Sequence, residues 1–502
     1  GSFNTLKTGV EQFFSFGSTD IAFMANLAKS DDDDGRIVNH DLQSTFDSIF
    51  GTSASLAPGS INNRFNILEL GLNAAGEQWQ ASLWRYQNRE AGLGTGAAQT
   101  LDPDGYMRNS LTRFNMTFDF SETDESINQL SFGWLKESFT SKYHIFPSGA
   151  VLPIGADGNL NFTAPTTFAL FTDGFLGNPS NRADVMDLRY TRVSIPNENH
   201  QLRWEIGVTH RKRTIGETKN FGPTVLDGTE TLVDGSLTDV AGSAGIYSEP
   251  VSEPTYFASI LDTWTVSSNL SASLGMRVDH YKSFDTVFNP RASLIWNVNK
   301  DLTTKLVMGT GFRAPTANER FFKNNPVTLG NAALEPEEIE NIELIVDYHW
   351  NDSFFTNLTL FSYRASDLIE YVFDPGLQGN VSQNIGKQNG KGIETRAMWR
   401  ATDNLNIEFH MSYVDAEDHF DKPIANIPKT QQFLAINWRI SDNIYWHLRN
   451  KHIFNRVRAD GDLRGHIHDY NVTDMSLSYE AQTSGLIMRL TAKNLFDEET
   501  LV

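Results

Sequence analysis

Leu270-Ser271-Ala272-Ser273-Leu274-Gly275-Met276-Arg277-Val278-Asp279-His280 reads with a period of two. On an extended chain Leu270, Ala272, Leu274, Met276, Val278 and His280 share one face, and Ser271, Ser273, Gly275, Arg277 and Asp279 share the other. One face suits hydrocarbon, the other water. The same division separates Leu202, Trp204, Ile206 and Val208 from Arg203, Glu205 and Thr209. It also separates Leu405, Ile407, Phe409, Met411 and Tyr413 from Asn406, Glu408, His410 and Ser412. A soluble sandwich alternates too. Many strands of about ten or more residues, with charges on the sheltered face, suit instead a membrane wall around a wet bore.

The connections between such strands alternate in length. Tight turns are expected at 16–20, 73–78, 121–127, 196–201, 266–269, 297–301, 350–354, 401–405 and 439–443. Long polar stretches fall at 30–63, 90–106, 140–182, 212–253, 311–337 and 366–390. Short turns on one rim and long loops on the other are the pattern of an outer-membrane β-barrel, with periplasmic turns and extracellular loops. The expected fold is therefore all-β: a large antiparallel transmembrane barrel, with about twenty strands visible of an expected twenty-two. An open sheet that wide would leave unpaired edges in lipid. The expectation is that residues 1–502 form one barrel domain lacking its first and last strands, and that the chain, with no initiating Met or signal peptide, is a mature or trimmed form. Gly1-Ser2-Phe3-Asn4 would then lie in an extracellular turn, although Gly1-Ser2 can also be a cloning remnant.

Composition narrows the function. Hydrophobic residues make up 39% and mean hydropathy is −0.36, so no stretch approaches the roughly 18 continuous apolar residues of a membrane helix. Cysteine is absent, which leaves no disulfide framework or thiolate metal site. Aromatics at 12%, with 34 Phe, can furnish girdles at the membrane interfaces. The net charge of −21, from 62 acidic and 41 basic residues, argues against a nucleic-acid partner, because phosphate backbones need a basic footprint. No repeat of roughly 40 to 50 residues suggests a propeller. There is no nucleophile elbow, phosphate loop or zinc helix, so the chain is not expected to be an enzyme.

Gly311-Phe312-Arg313-Ala314-Pro315-Thr316, followed by Asn331-Ala332-Ala333-Leu334-Glu335-Pro336-Glu337, resembles the paired signatures in the barrel of TonB-dependent receptors, with Ala332 in the place of a proline. Tyr363-Arg364-Ala365-Ser366-Asp367-Leu368-Ile369, Gly390-Lys391-Gly392-Ile393-Glu394 and Lys493-Asn494-Leu495-Phe496-Asp497-Glu498 look like later landmarks of that family. Physically these are positioning devices. Pro315 has no amide hydrogen and ends a ladder, Pro336 fixes the re-entry, and Asn494, Leu495 and Phe496 close the last visible strand. The resemblance implies a barrel in the outer membrane of a Gram-negative bacterium, surrounded by lipid. It further implies a separate N-terminal plug inside the bore, a TonB box, and the TonB-ExbB-ExbD complex as energy-coupling partner.

Candidate ligand contacts are aromatics beside charges in the long stretches: Tyr143 and Phe146, Phe321 and Phe322 beside Arg320, and Tyr371 and Phe373. Stacking and cation contacts together suit a planar anionic ferric chelate, although the same residues could pack the loops or the membrane rim. The possible metal ligands are His466 with His468, or Asp32 with Asp34 in the run Asp31-Asp32-Asp33-Asp34. The plainer readings are polar surface and a solvated loop tip. No resident cofactor is expected, iron entering only within a transported chelate. The expected cargo is a ferric siderophore, with cobalamin, haem or glycan uptake, or a passive barrel, as alternatives. Haem receptors of the family commonly carry a His between the two signatures, and residues 316–330 contain none.

Overall fold

The computed structural model describes residues 4–123, 126–325, 328–377, 379–462, 464–481 and 485–498. The expected opening turn at Gly1-Ser2-Phe3 and part of the turn at 121–127 lie outside them. One sheet of 22 strands dominates, and two of its members, Thr238–Asp239 and Thr328–Leu329, are two-residue additions to loops. The remaining twenty run from Leu6–Phe16 to Ile487–Ala492, each antiparallel to its neighbours in sequence. The tight turns fall where the alternation stops. Leu6–Phe16 meets Thr19–Ser30, Val251–Ser267 meets Leu270–Tyr281, and Phe354–Asp374 follows Glu337–Asn351.

Register decides which side chains share a face. Opposed pairs include Ile260 with Met276, Leu274 with Ala292 and Leu306 with Leu344, all from the apolar sets. The neighbouring set pairs Ser259 with Arg277 and Glu205 with Ser259. Apolar rows thus join around the outside, as lipid requires, and charged rows join around the inside. Aromatics gather near the tight turns: Trp264, Trp296, Trp350, Trp399 and Trp438 all lie within a few residues of one and are exposed. Their amphipathic rings suit the headgroup level.

Several charges on the inner face are paired within the wall. Arg203 lies 2.6 Å from Glu205, Arg277 2.6 Å from Asp279, Lys305 2.7 Å from Asp347 and Arg396 2.6 Å from Glu408. The guanidinium of Arg277 also lies 4.1 Å from the ring centre of Phe257. Gly207 makes room for that ring, since a Cβ there would come within 2.5 Å of it.

The apolar core sits above the wall rather than in it. Helix Leu42–Phe50 starts at a capping box, where Asp41 accepts from the Ser44 amide, and ends at Gly51, whose φ of 67° suits a residue without Cβ. It lays Phe46 against Phe146 and Phe162, at 5.6 and 5.5 Å between ring centres. Beneath it Ala150–Ile154 pairs with Thr167–Phe171, which pairs in turn with Leu232–Val233. Phe146, Leu152, Ile154, Phe171, Phe175 and Phe221 are enclosed there. The loops of this sector are a small folded cap.

Three expectations need correction. Residues 140–182, 212–253 and 366–390 read as loops, yet Ser126–Phe146, Phe175–Asn197, His200–Lys219, Phe354–Asp374 and Gly379–Thr402 carry the ladder well into them. Above the lipid neither face must be apolar, so the period-two signal disappears while the backbone hydrogen bonds continue.

Candidate functional site

Strand tops and cap loops enclose a cavity of about 410 Å³ lined by Tyr143, Arg213, Glu217, Tyr247, Phe322 and Asn324, among others. Tyr143 comes from Ser126–Phe146, and Arg213 and Glu217 from His200–Lys219. All three belong to the inward set, because Ala183 opposes Arg213 and Gly177 opposes both Tyr143 and Lys219. Phe139, Ile145, Gly177, Pro179 and Asn181 add to the lining from strands Ser126–Phe146 and Phe175–Asn197, Ala97 and Ala98 from the segment after Trp79–Ala91, and the rest from loop segments 220–250 and 314–336.

The floor is a buried ion pair. Lys219 is 0% exposed and Glu217 7%, with Lys219 Nζ 3.4 Å from Glu217 Oε2. The ammonium also donates to the Gly245 carbonyl at 2.7 Å and lies 5.0 Å from the ring centre of Phe221. Phe221 stacks on Phe175 at 3.8 Å. Glu217 Oε2 accepts the Tyr247 amide at 2.8 Å, so the pair ties the 220–250 loop to the wall. Buried charges are tolerated only with such compensation.

Arg213 has a different balance. Its Nη2 donates to Asn318 Oδ1 at 2.9 Å, while Nη1 is buried without a hydrogen-bond partner among the described residues. Tyr247 meets Phe322 edge-on at 5.9 Å. An unsatisfied guanidinium N–H among aromatic faces can take an anionic, planar guest.

The two family-like segments act as a clasp on this loop. Arg313, at the end of Leu302–Arg313, donates to both oxygens of Glu337, each at 2.5 Å, and to both of Glu319, at 2.9 and 3.0 Å. Glu319 accepts the Thr316 amide at 2.7 Å, which caps helix Ala317–Phe321. Pro315, Leu334 and Pro336 are buried, Ala314 is half-buried, and Phe312 meets Tyr281 edge-on at 6.0 Å. Burial pushes the Glu319 carboxyl up, but hydrogen bonds from Arg313 and Thr316 outweigh it and hold the group below the ordinary glutamate range. Further along, Asn494 exchanges hydrogen bonds with Glu498, at 2.9 Å each way, closing the turn after Ile487–Ala492; Leu495 and Phe496 are exposed.

Of the seven aromatic and cationic candidates, Tyr143 and Phe322 line the cavity. Phe146 is 2% exposed inside the cap core. Arg320 lies over the Phe321 ring at 4.6 Å and reaches Glu253 at 3.7 Å, beside the cavity. Tyr371 and Phe373 stand 47% and 50% exposed on the hairpin that replaces the expected 366–390 loop. His466 and His468 are exposed with ring centres 6.0 Å apart, and Ile467 between them is buried. Asp32 accepts the amides of Asn63 and Arg64, each at 3.0 Å, as a loop staple, whereas Asp34 is exposed. Among the described residues no three His, Cys, Asp or Glu side chains gather as a metal site. Arg213, Glu217, Lys219 and Tyr247 went unread because their segment looked like loop. The one available signal was the persistence of charge at alternate positions 213, 217 and 219.

Comparison with known proteins places this architecture. The family described as TonB dependent receptor-like, beta-barrel, matches residues 30–495. The iron-regulated outer membrane virulence protein of Vibrio cholerae is 24% identical over 272 residues, which cover 50% of this chain and 42% of that protein. The chain spans from under a fifth to just over half the length of the curated relatives it matches. Among solved structures, the copper transporter OprC superposes with a TM-score of 0.70 at 12% identity, over 99% of this chain and 72% of that one. The siderophore receptor PirA of Acinetobacter baumannii gives 0.66 at 14%, over 98% and 73%.

Proposed function

We propose that this chain, which belongs to the TonB-dependent receptor β-barrel family and so to the Gram-negative outer membrane, is the wall and outer recognition surface of an active importer whose cargo is a ferric siderophore. The cavity at the mouth carries the reading. Its aromatic faces and the unsatisfied Arg213 Nη1 suit an anionic iron chelate that presents flat catecholate rings better than a neutral sugar. A haem cargo lacks the His it would use between residues 316 and 330. Its relatives and structural neighbours include an iron-regulated virulence protein, a vitamin B12 transporter, a heme/hemopexin utilization protein and a copper transporter, so cargo rests on the site rather than on likeness.

The bore of such a wall would house the protein's own N-terminal plug, and TonB with ExbB and ExbD would supply work. The need for work follows from affinity: a ligand held at about 1 nM with an on-rate near 10⁶ M⁻¹s⁻¹ leaves only once in roughly a quarter of an hour. Binding of an iron-loaded tris-catecholate to the detergent-solubilised chain, measured by quenching of Trp fluorescence, tests the reading. Saturable binding that weakens at least tenfold in Arg213→Gln is the expected result. Equal affinity for iron-loaded catecholate and for cobalamin would refute the siderophore assignment.

A further inference from the structure

The outward face of four neighbouring strands changes abruptly with height. In Tyr106–Thr123, Ser126–Phe146, Phe175–Asn197 and His200–Lys219, the outward rows nearer the tight turns are apolar: Phe114 opposes Trp134, Trp134 opposes Met186, and Phe132 opposes Leu188. The next outward rung reads Thr112, Lys136, Asp184, Lys212 across the four strands. Above it on the same face stand Arg108, Lys142 and Arg182, all exposed. The remaining outward positions are Ser, Thr, Asn, His and Gly, with Tyr106 and Leu176 at the strand tops.

The height of the change is informative. Lys212 follows His200 by twelve residues, about 40 Å along a strand, or roughly 30 Å along the membrane normal at a tilt near 40°. Arg182 and Lys142 come out near 40 Å by the same reckoning. An apolar band of about 25 Å that starts a few ångströms above the turns ends just below these cations. They therefore face the outer-leaflet headgroups, outside the bore.

Asp184 is the one acidic group in that rung, between Lys136 and Lys212, and two further observations mark the patch as cationic and local. No carboxylate lies within ion-pair distance of Lys136, Lys142, Arg182 or Lys212 among the described residues, although the chain carries a net charge of −21. On the opposite arc, the outward cations Arg364 and Lys391 stand directly opposite Glu340 and Asp415, and with Glu338 and Glu417 beside them the acidic groups outnumber the basic ones; Asp415 is bonded to Lys429 at 2.9 Å. A uniform interfacial ring of lysines would not show this asymmetry.

We infer that Lys136, Arg182 and Lys212, with Arg108 and Lys142 above them, form a docking surface for the phosphorylated headgroup of an outer-leaflet glycolipid. Cations supply charge, the intervening hydroxyls supply donors, and the apolar rows below take the acyl chains. Charge complementarity commits the surface to a lipid phosphate, because a free phosphate would gain nothing from those apolar rows.

Native mass spectrometry of the full chain in detergent, titrated with lipid A, tests this. Lys136→Gln/Arg182→Gln/Lys212→Gln should raise the half-saturating lipid concentration roughly 100-fold, and Arg182→Gln alone about fivefold. Arg364→Gln/Lys391→Gln on the opposite arc should change it less than threefold. Dephosphorylated lipid A should bind the unmodified chain as weakly as phosphorylated lipid A binds the triple variant, and millimolar inorganic phosphate should not displace the lipid. Undiminished binding by the triple variant overturns the proposal, and so does equal binding of dephosphorylated lipid or displacement by inorganic phosphate. Should the triple variant fail the heat-modifiability test of barrel folding, the single Arg182→Gln decides alone, unchanged binding counting against the surface.

Discussion

Replacing Lys219 by Met should loosen one segment of the receptor and leave its wall intact. At 3.4 Å, with both side chains almost wholly enclosed, the attraction between Lys219 and Glu217 is about 5 kcal/mol at an effective dielectric near 20. Removing the cation strands a buried carboxylate and leaves the Gly245 carbonyl without its donor, a net loss of about 3–5 kcal/mol. The segment that depends on this pair is 220–250, through the Tyr247 amide bonded to Glu217. Hydrogen exchange followed by mass spectrometry should show amides of that segment exchanging roughly 100- to 3000-fold faster, since each 1.4 kcal/mol is about a factor of ten. Exchange in Leu270–Tyr281 should not change. The double change Glu217→Gln/Lys219→Met removes the stranded charge but keeps an acceptor for Tyr247, and should recover most of the protection. If the single variant exchanges like the unmodified chain, the pair contributes nothing. If the double is as loose as the single, length and packing of the lysine matter, and the charge argument fails.

Other outcomes follow from the same geometry. Tyr143→Ala should weaken binding of an iron-loaded tris-catecholate about 5- to 20-fold by isothermal titration, whereas Tyr371→Ala, outside the cavity, should change it less than twofold. The Arg313 clasp should respond to acid. The Glu319 carboxyl is held below its unfolded value, so its contribution is fully present above about pH 4.5 and is lost as pH falls through the lower folded value. Exchange in 314–325 should accelerate only below about pH 4.5, and Glu319→Gln should remove that part of the pH dependence. Phe171→Ala in the cap core should cost about 3–5 kcal/mol locally. Limited proteolysis should then cut 147–174 while the barrel keeps its heat-modifiable mobility on a gel.

The wall was legible because lipid imposes a rule on every second residue. Where both faces meet water or the cap the rule lapses, so the upper halves of Ser126–Phe146 and His200–Lys219 looked like loop. That is where the cavity was hidden. Tyr143 and Phe322 were found by composition, as aromatics beside charges, but Arg213 and Tyr247 needed the strand register and the folding back of 220–250. The same criterion selected Phe146, because an aromatic in a polar stretch cannot be told from one that roofs a small core. The resemblance around Arg313 marked the segment without revealing its job. Glu337 lies 24 residues away in sequence, and only pairing of Leu302–Arg313 with Glu337–Asn351 sets the two opposite each other.

The bore's self-matched charges have a mechanical consequence. Because Arg203, Arg277, Lys305 and Arg396 each find their counter-ion within the wall, whatever occupies the channel need not neutralise them. An occupant can slide or withdraw without stripping a partner from any of these four, and the surface left behind is one that water wets readily. Along these four pairs the cylinder is thus lubricated by construction.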